Sequence, residues 1–230
     1  MASKVYLCYH LDMILTPRLD ILPAPQYRLW PELIDTPKHF VLYGGTAIAL
    51  RLGHRQSIDF DFFSSECFHP SELLRDIPYL KDAMPILSQN NSLVCAIDRG
   101  GTVKLSFFGG LSFGHIQSPD EAENTFISVA SLLDLMASKL KVIQDRAEYK
   151  DYFDLYTLLQ HDLFENGLGA AQAIYGASFN PLLSLKALGF FDDGDLAGLS
   201  DEIKAFLISE IRRLDLRHLP RYQSKVGLRS

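Results

Sequence analysis

The stretch on which the fold turns is Val41-Leu42-Tyr43-Gly44-Gly45-Thr46-Ala47-Ile48-Ala49-Leu50-Arg51-Leu52-Gly53-His54-Arg55-Gln56-Ser57-Ile58-Asp59-Phe60-Asp61-Phe62-Phe63. Phe40 to Tyr43 is a short β-type run that ends at Gly44-Gly45. Thr46 to Leu52 reads as a helix, with Ala47, Ile48, Leu50 and Leu52 as apolar bulk and Gly53 as its stop. Ile58 to Phe63 reads as a strand, because Asp59 and Asp61 alternate with Ile58, Phe60 and Phe62. Thirteen residues, Thr46 to Ile58, separate the glycine pair from the acidic strand. That is one helix and a turn, enough to return the chain beside its starting strand.

Strand residues two apart point to the same side, about 6.5–7 Å apart. Asp59 and Asp61 therefore project together, and two like charges on one face call for a cation between them. Mg²⁺, or Mn²⁺ with the same taste for oxygen, binds through one or two carboxylates plus substrate phosphates. Such an ion neutralises charge on a transferring phosphate. Glycines at a strand-to-helix turn let backbone N–H groups approach phosphate, and a helix N-terminus favours an anion.

Outward from this stretch, residues 1–37 carry five prolines, Pro17, Pro23, Pro25, Pro31 and Pro37. They forbid a long helix and leave room only for short helical turns near 26–34. Pro70-Ser71 opens a helix to about Asp76. Residues 92–98 and 102–108 form a predicted hairpin around Arg99-Gly100-Gly101, followed by a strand near 125–129. From Ser131 the pattern is helical. Ser131 and Asp134 have capping-box spacing for a helix to about Gln144, and a second helix runs from Tyr149 to Leu159. Ala170–Tyr175, Pro181–Leu188 and Ser200–Leu214 supply three more, with Asn180 and Ser200 as starts. The fold class is α+β: a mixed β-sheet with flanking helices over 1–125, then a helical region over 126–230 packed on it.

The hydrophobic-Gly-Gly, thirteen-residue spacer and Asp-hydrophobic-Asp pattern resembles the DNA polymerase β-type nucleotidyltransferase signature. More narrowly, VLYGGTAIALRLGHRQSIDFDFF is similar to the AbiEii/AbiGii family, the toxin side of type IV toxin–antitoxin and abortive-infection systems. That family opens with GGTALAL-x-LGHR-x-S-x-D-hydrophobic-D. Residues 134–159, DLMASKLKVIQDRAEYKDYFDLYTLL, resemble its second block, with Lys139, Arg146, Lys150, Asp151 and Asp154 matching in turn.

The resemblance implies a Mg²⁺-dependent transfer of NMP from a nucleoside triphosphate to an acceptor, a tRNA or a protein, with a cognate antitoxin as partner. It implies Asp59 and Asp61 as metal ligands, and Gly44, Gly45, Thr46, Arg55, Ser57 and Lys139 at the nucleotide. Asp154 would orient Lys139 or act near the acceptor hydroxyl, and His54 would support the loop presenting Asp59. Arg55 would reach phosphate or pair with Asp59 or Asp61. Lys139 and Arg146, seven apart, share a helix face, and Arg146 with Asp151 would form an ion pair locking two helices. Polymerase-like enzymes place a third carboxylate on a later strand. Here that place, within Val103 to Phe108, holds Ser106, with Asp98 the nearest substitute. Members of the resembled family that lack the acid use the helical Lys and Asp.

Three rival readings stand beside the transferase. One is a catalytically degenerate fold that binds a nucleotide or partner, which Ser106 supports because serine is a poor magnesium ligand; the others are a kinase-like phosphotransferase and a pure interaction protein. Net charge of −6 disfavours a broad nucleic-acid coat, although residues 212–229 are locally basic. Cys8, Cys67 and Cys95 show no disulfide or zinc spacing, which fits reduced thiols. The leading MASKVYLCYHLDM has no long apolar core and does not read as a signal peptide. No apolar run is long enough to span a membrane, and a cytoplasmic location is expected.

Overall fold

The computed structural model describes residues 14–229. Cys8 and the leading segment 1–13 lie outside the described residues; Cys67 and Cys95 are free thiols. One eight-stranded mixed sheet organises the chain, in the order β1 (Ile14–Leu15), β7 (Asp120–Ala122), β8 (Ser128–Val129), β2 (Val41–Tyr43), β3 (Asp59–Phe63), β6 (Thr102–Phe108), β5 (Ser92–Asp98), β4 (Met84–Gln89).

The centre of the sheet is built by the stretch 41–63. β2 is buried at every position and pairs antiparallel with β3, Tyr43 opposite Asp61. Helix α2 (Gly44–Leu52) follows β2 without a loop and is buried from Thr46 to Leu50, so it is held from all sides rather than along one stripe. Gly53 ends it at φ +66°, the left-handed cap that glycine adopts freely. On β3 the alternation is clean: Phe60 and Phe62 are fully buried, while Asp59 and Asp61 face the other way. Phe62 stacks on Phe107 with centroids 5.2 Å apart, a pair worth about 0.5–1.5 kcal/mol beyond the area it buries. Trp30, at the end of helix α1 (Ala24–Leu29) and the start of the helical turn Trp30–Asp35, closes the same face over Phe60.

The hairpin forms as the sequence predicts, with Asp98 opposite Thr102 and Ser92 opposite Phe108. Helix α3 (Pro70–Asp76) also stands where Pro70 opens it. Helices α4 (Leu132–Val142) and α5 (Tyr149–Leu159) follow, then α6 (Phe164–Tyr175), α7 (Pro181–Leu188) and α8 (Asp201–Arg213). Ser131 caps α4 by accepting from the Asp134 N–H at 3.1 Å. The Asp134 carboxylate reaches back to accept from the Ser131 hydroxyl at 2.5 Å, not from the Ser131 backbone N–H as in a capping box. It also accepts the backbone N–H groups of Ile116 and Gln117, which ties the loop after β6 to α4.

Three local expectations are corrected. Helix α4 ends at Val142, not Gln144, so Arg146 lies in the connection to α5 and not on the helix face of Lys139. Helix α6 begins six residues before Ala170, because Gly167 and Gly169 are packing glycines and not breakers. A Cβ on Gly167 would lie 2.3 Å from Met136 Sδ of α4, and one on Gly169 2.3 Å from the Pro220 carbonyl. The strand near 125–129 shortens to Ser128–Val129, since Asn124 and Phe126 take positive φ in a turn. Strands β1, β4 and β7 carry no periodic signal; β4 is exposed along its whole length at the sheet edge, where Pro85 is tolerated.

Candidate active site

The face of β3 that carries Asp59 and Asp61 is the floor of a cleft of about 820 Å³. Gly44 and Gly45 form one lip, Ile86 and Leu87 of β4 with Val94 of β5 another, and Ser138, Lys139 and Val142 of α4 with Arg146 and Lys150 the wall above. Gly44 sits at φ +73°, and a Cβ there would stand 2.8 Å from Asp61 Oδ2. A Cβ on Gly45 would stand 2.2 Å from Arg55 Nη2. The two glycines therefore let a carboxylate and a guanidinium lie against the backbone where α2 begins.

Thr46 and Ser57 are both buried. Their hydroxyls lie 2.7 Å apart, and Thr46 also donates to the Asp59 carbonyl. They fix the turn that presents Asp59. Gln26 adds to this, donating to the Ile58 carbonyl at 3.0 Å. The Asp59 side chain has no hydrogen bond or ion pair among the described residues. Burial pushes the Asp61 carboxyl above its ordinary range, a hydrogen bond from Ser106 draws it back, and the charge of Asp59 raises it again. Two acids held under mutual repulsion suit a cation.

Among the described residues no group of three or more His, Cys, Asp or Glu is placed to hold a metal ion. The donor set is two carboxylates beside open space. That fits Mg²⁺ or Mn²⁺ taking its other ligands from phosphate and water, and does not fit a fully protein-caged ion.

Behind the wall lies a buried charge network. Asp154 and Asp151 of α5 are both fully buried. Lys139 Nζ lies 2.6 Å from Asp151 Oδ1 and 2.7 Å from Asp154 Oδ2. Arg55 grips Asp154 with a fork, Nε at 2.7 Å and Nη2 at 2.9 Å. His54 Nε2 adds a contact of 2.7 Å to the same carboxylate, and Arg146 Nε reaches Asp151 Oδ2 at 2.8 Å. Burial alone would raise the Asp154 carboxyl. The hydrogen bonds from His54 and Arg55 and the charge of Lys139 outweigh it and hold the group well below the usual range. Asp151 is lowered in the same way by Lys139 and Arg146.

Gly44, Gly45, Thr46, Arg55, Ser57, Asp59, Asp61, Lys139 and Arg146 thus meet at one cleft, while His54, Asp151 and Asp154 stand behind its lining. Arg55 pairs with Asp154 and not with Asp59 or Asp61. Asp154 touches Lys139, Arg55 and His54, and is a positioning residue in this arrangement. Lys104 is the site residue the sequence reading passed over. It lines the cleft from β6, in register with Asp59. Its alternation with Ser106 was the available signal.

Comparison with known proteins agrees with this geometry. The family model described as Nucleotidyl transferase AbiEii toxin, Type IV TA system, matches residues 32–94 and 96–224. An uncharacterized protein of Aquifex aeolicus (strain VF5) is 27% identical over 184 residues, covering 75% of this chain and 86% of that one. Among solved structures, a nucleotidyltransferase from H. pylori superposes with TM-score 0.54 at 18% identity, over 84% of this chain and 96% of that one. MenT4, a nucleotidyltransferase toxin from Mycobacterium tuberculosis H37Rv, does so with TM-score 0.53 at 14% identity, over 85% and 87%. These two likenesses speak to the fold. No helix among the described residues is long and apolar enough to cross a membrane. With its glycine turn and paired aspartates assembled in one cleft, the chain belongs to the AbiEii nucleotidyltransferase toxin family of type IV toxin–antitoxin systems.

Proposed function

We propose that the cleft transfers a nucleoside monophosphate from a nucleoside triphosphate to an acceptor hydroxyl on a tRNA or a protein, as the cytoplasmic toxin partner of an antitoxin. The observation that carries this reading is the meeting of Asp59, Asp61, Gly44-Gly45 and Lys139 on one cleft. The acceptor oxygen attacks the α-phosphorus in line. Its lone pair forms the new P–O bond, the bond to the β-phosphate oxygen breaks with its pair leaving on pyrophosphate, and the hydroxyl proton passes to water. A Mg²⁺ or Mn²⁺ ion held by Asp59, Asp61 and the phosphates would supply Lewis-acid neutralisation of the charge.

The chain's own part is positioning and fixed charge. Gly44 and Gly45 bring backbone N–H groups of α2 to the phosphates. Lys139 has three donors; two are held by Asp151 and Asp154, and the third is left for a phosphate oxygen. Arg55 is locked by Asp154 with its edge at the glycine lip.

Product analysis tests the reading. With Mg²⁺, an acceptor extract and each of the four NTPs, the transferase releases pyrophosphate, whereas a phosphotransferase leaves NDP. Ser106, in place of an acid beside Asp61, favours one rival, a degenerate fold. Mg²⁺-dependent nucleotide binding without any pyrophosphate from any NTP would establish that rival.

A further inference from the structure

Four side chains make the centre of the cleft floor. β3 and β6 run parallel, with Asp59 beside Lys104 and Asp61 beside Ser106. Residues two apart on a strand share a face, and all four line the cleft. An ammonium and a hydroxyl thus stand beside the two carboxylates. Ser106 is buried, and its hydroxyl is hydrogen-bonded to Asp61. Lys104 is exposed, its charge acts on Asp61, and it has no hydrogen bond or ion pair among the described residues.

Two-ion sites place divalent cations about 3.5–4 Å apart as a clamp on the attacking and leaving oxygens. A second ion on this floor would find no third acid. It would meet a hydroxyl already committed to Asp61 and a positive charge one residue pair away. Two carboxylates offset the charge of one divalent ion and leave nothing for another. A compact ammonium on a flexible stem is suited to contact an anionic oxygen that has no fixed position.

We propose that Lys104 takes the place of a second divalent cation: the site holds one ion, on Asp59 and Asp61, and the Lys104 ammonium neutralises charge on the acceptor side of the reacting phosphate, while Ser106 positions Asp61. This rests on the transferase reading above and adds no reactant to its step.

The test is a Mn²⁺ titration followed by electron paramagnetic resonance, with each of the four α,β-methylene nucleoside triphosphates at saturation. The wild-type chain binds one Mn²⁺ per chain, with the uncoupled six-line spectrum. Lys104→Gln, an exposed substitution, weakens triphosphate binding about tenfold, the size of one charge-assisted hydrogen bond. Ser106→Ala weakens Mn²⁺ binding without changing the ion count. Lys104→Ala with Ser106→Asp admits a second, spin-coupled Mn²⁺. Two coupled ions in the wild type, unchanged triphosphate affinity in Lys104→Gln, or a folded double variant that still holds one ion would each overturn the proposal. If the double variant does not fold by circular dichroism, the wild-type count and Lys104→Gln decide. Failure of the underlying reading looks different: no Mn²⁺ retained at all, or equal retention after Asp59→Ala and Asp61→Ala.

Discussion

Replacing Asp154 by alanine is the sharpest test of the buried network. Its carboxylate is fully buried and takes contacts from three basic side chains, Lys139, Arg55 and His54, at 2.7–2.9 Å. The Lys139 side chain is only 7% exposed and that of Arg55 20%. Removing the carboxylate leaves Arg55 with no carboxylate partner among the described residues and Lys139 with Asp151 alone. Breaking a buried pair from one side costs about 3–5 kcal/mol. For a chain of this length 1 kcal/mol moves Tm by about 2–4 °C, so Tm should fall by about 6–20 °C. Calorimetry at pH 7 measures it, with Asp76→Ala as the control, because the Arg75–Asp76 pair is exposed and such pairs contribute little. Adding Arg55→Met to Asp154→Ala should recover part of the loss, since Arg55 has no other carboxylate partner among the described residues and the orphaned guanidinium goes with it. A fall no larger than the control's, or no recovery in the double variant, would refute the reasoning.

Acid should act through the same carboxylates. Asp151 and Asp154 have folded-state values below the unfolded value of about 3.9. Their stabilisation is present above that pH and lost as pH falls below it toward the folded values, so urea midpoints should drop below about pH 4; a flat profile there contradicts the network. Asp61 has the opposite sign: its raised folded value means that ionising it costs stability as pH rises. Asp61→Asn should therefore raise the Tm of the metal-free chain at pH 7 while abolishing stabilisation by Mg²⁺ and NTP, and a lower Tm would contradict that. Gly45→Ala should drive Arg55 off Asp154, since its Cβ falls 2.2 Å from Nη2. The expected cost is about 1.5–3 kcal/mol, the worth of hydrogen bonds to a charged group, with weaker triphosphate binding; a variant neutral in urea titration and in binding would show that Arg55 can move freely.

The strand, glycine turn, helix and acidic strand of 41–63 were legible because each is a local signal and the spacer length forces the chain back on itself. The capped helix from Ser131 and the hairpin at Gly100-Gly101 were legible for the same reason. β4 was not, because an edge strand exposed on both faces has no buried alternation to read. The start of α6 was hidden by glycines whose purpose is contact with Met136 and Pro220. At the site, the carboxylate pair and the glycines could be read from spacing. The grip of Arg55 on Asp154, 99 positions away, could not, because it depends on how α5 packs behind α2. Lys104 was in plain view beside Ser106, but its place next to Asp59 is set by parallel register, which a sequence does not display.

Transfer of label from α-³²P-labelled NTP to RNA or protein, with Mg²⁺ and total cellular extract, tests the central claim most directly. Wild-type chain should label an acceptor with at least one of the four NTPs, and Asp59→Ala/Asp61→Ala should label none. Absence of label with every NTP, or equal labelling by the double variant, would contradict the transferase and the role given to its paired aspartates.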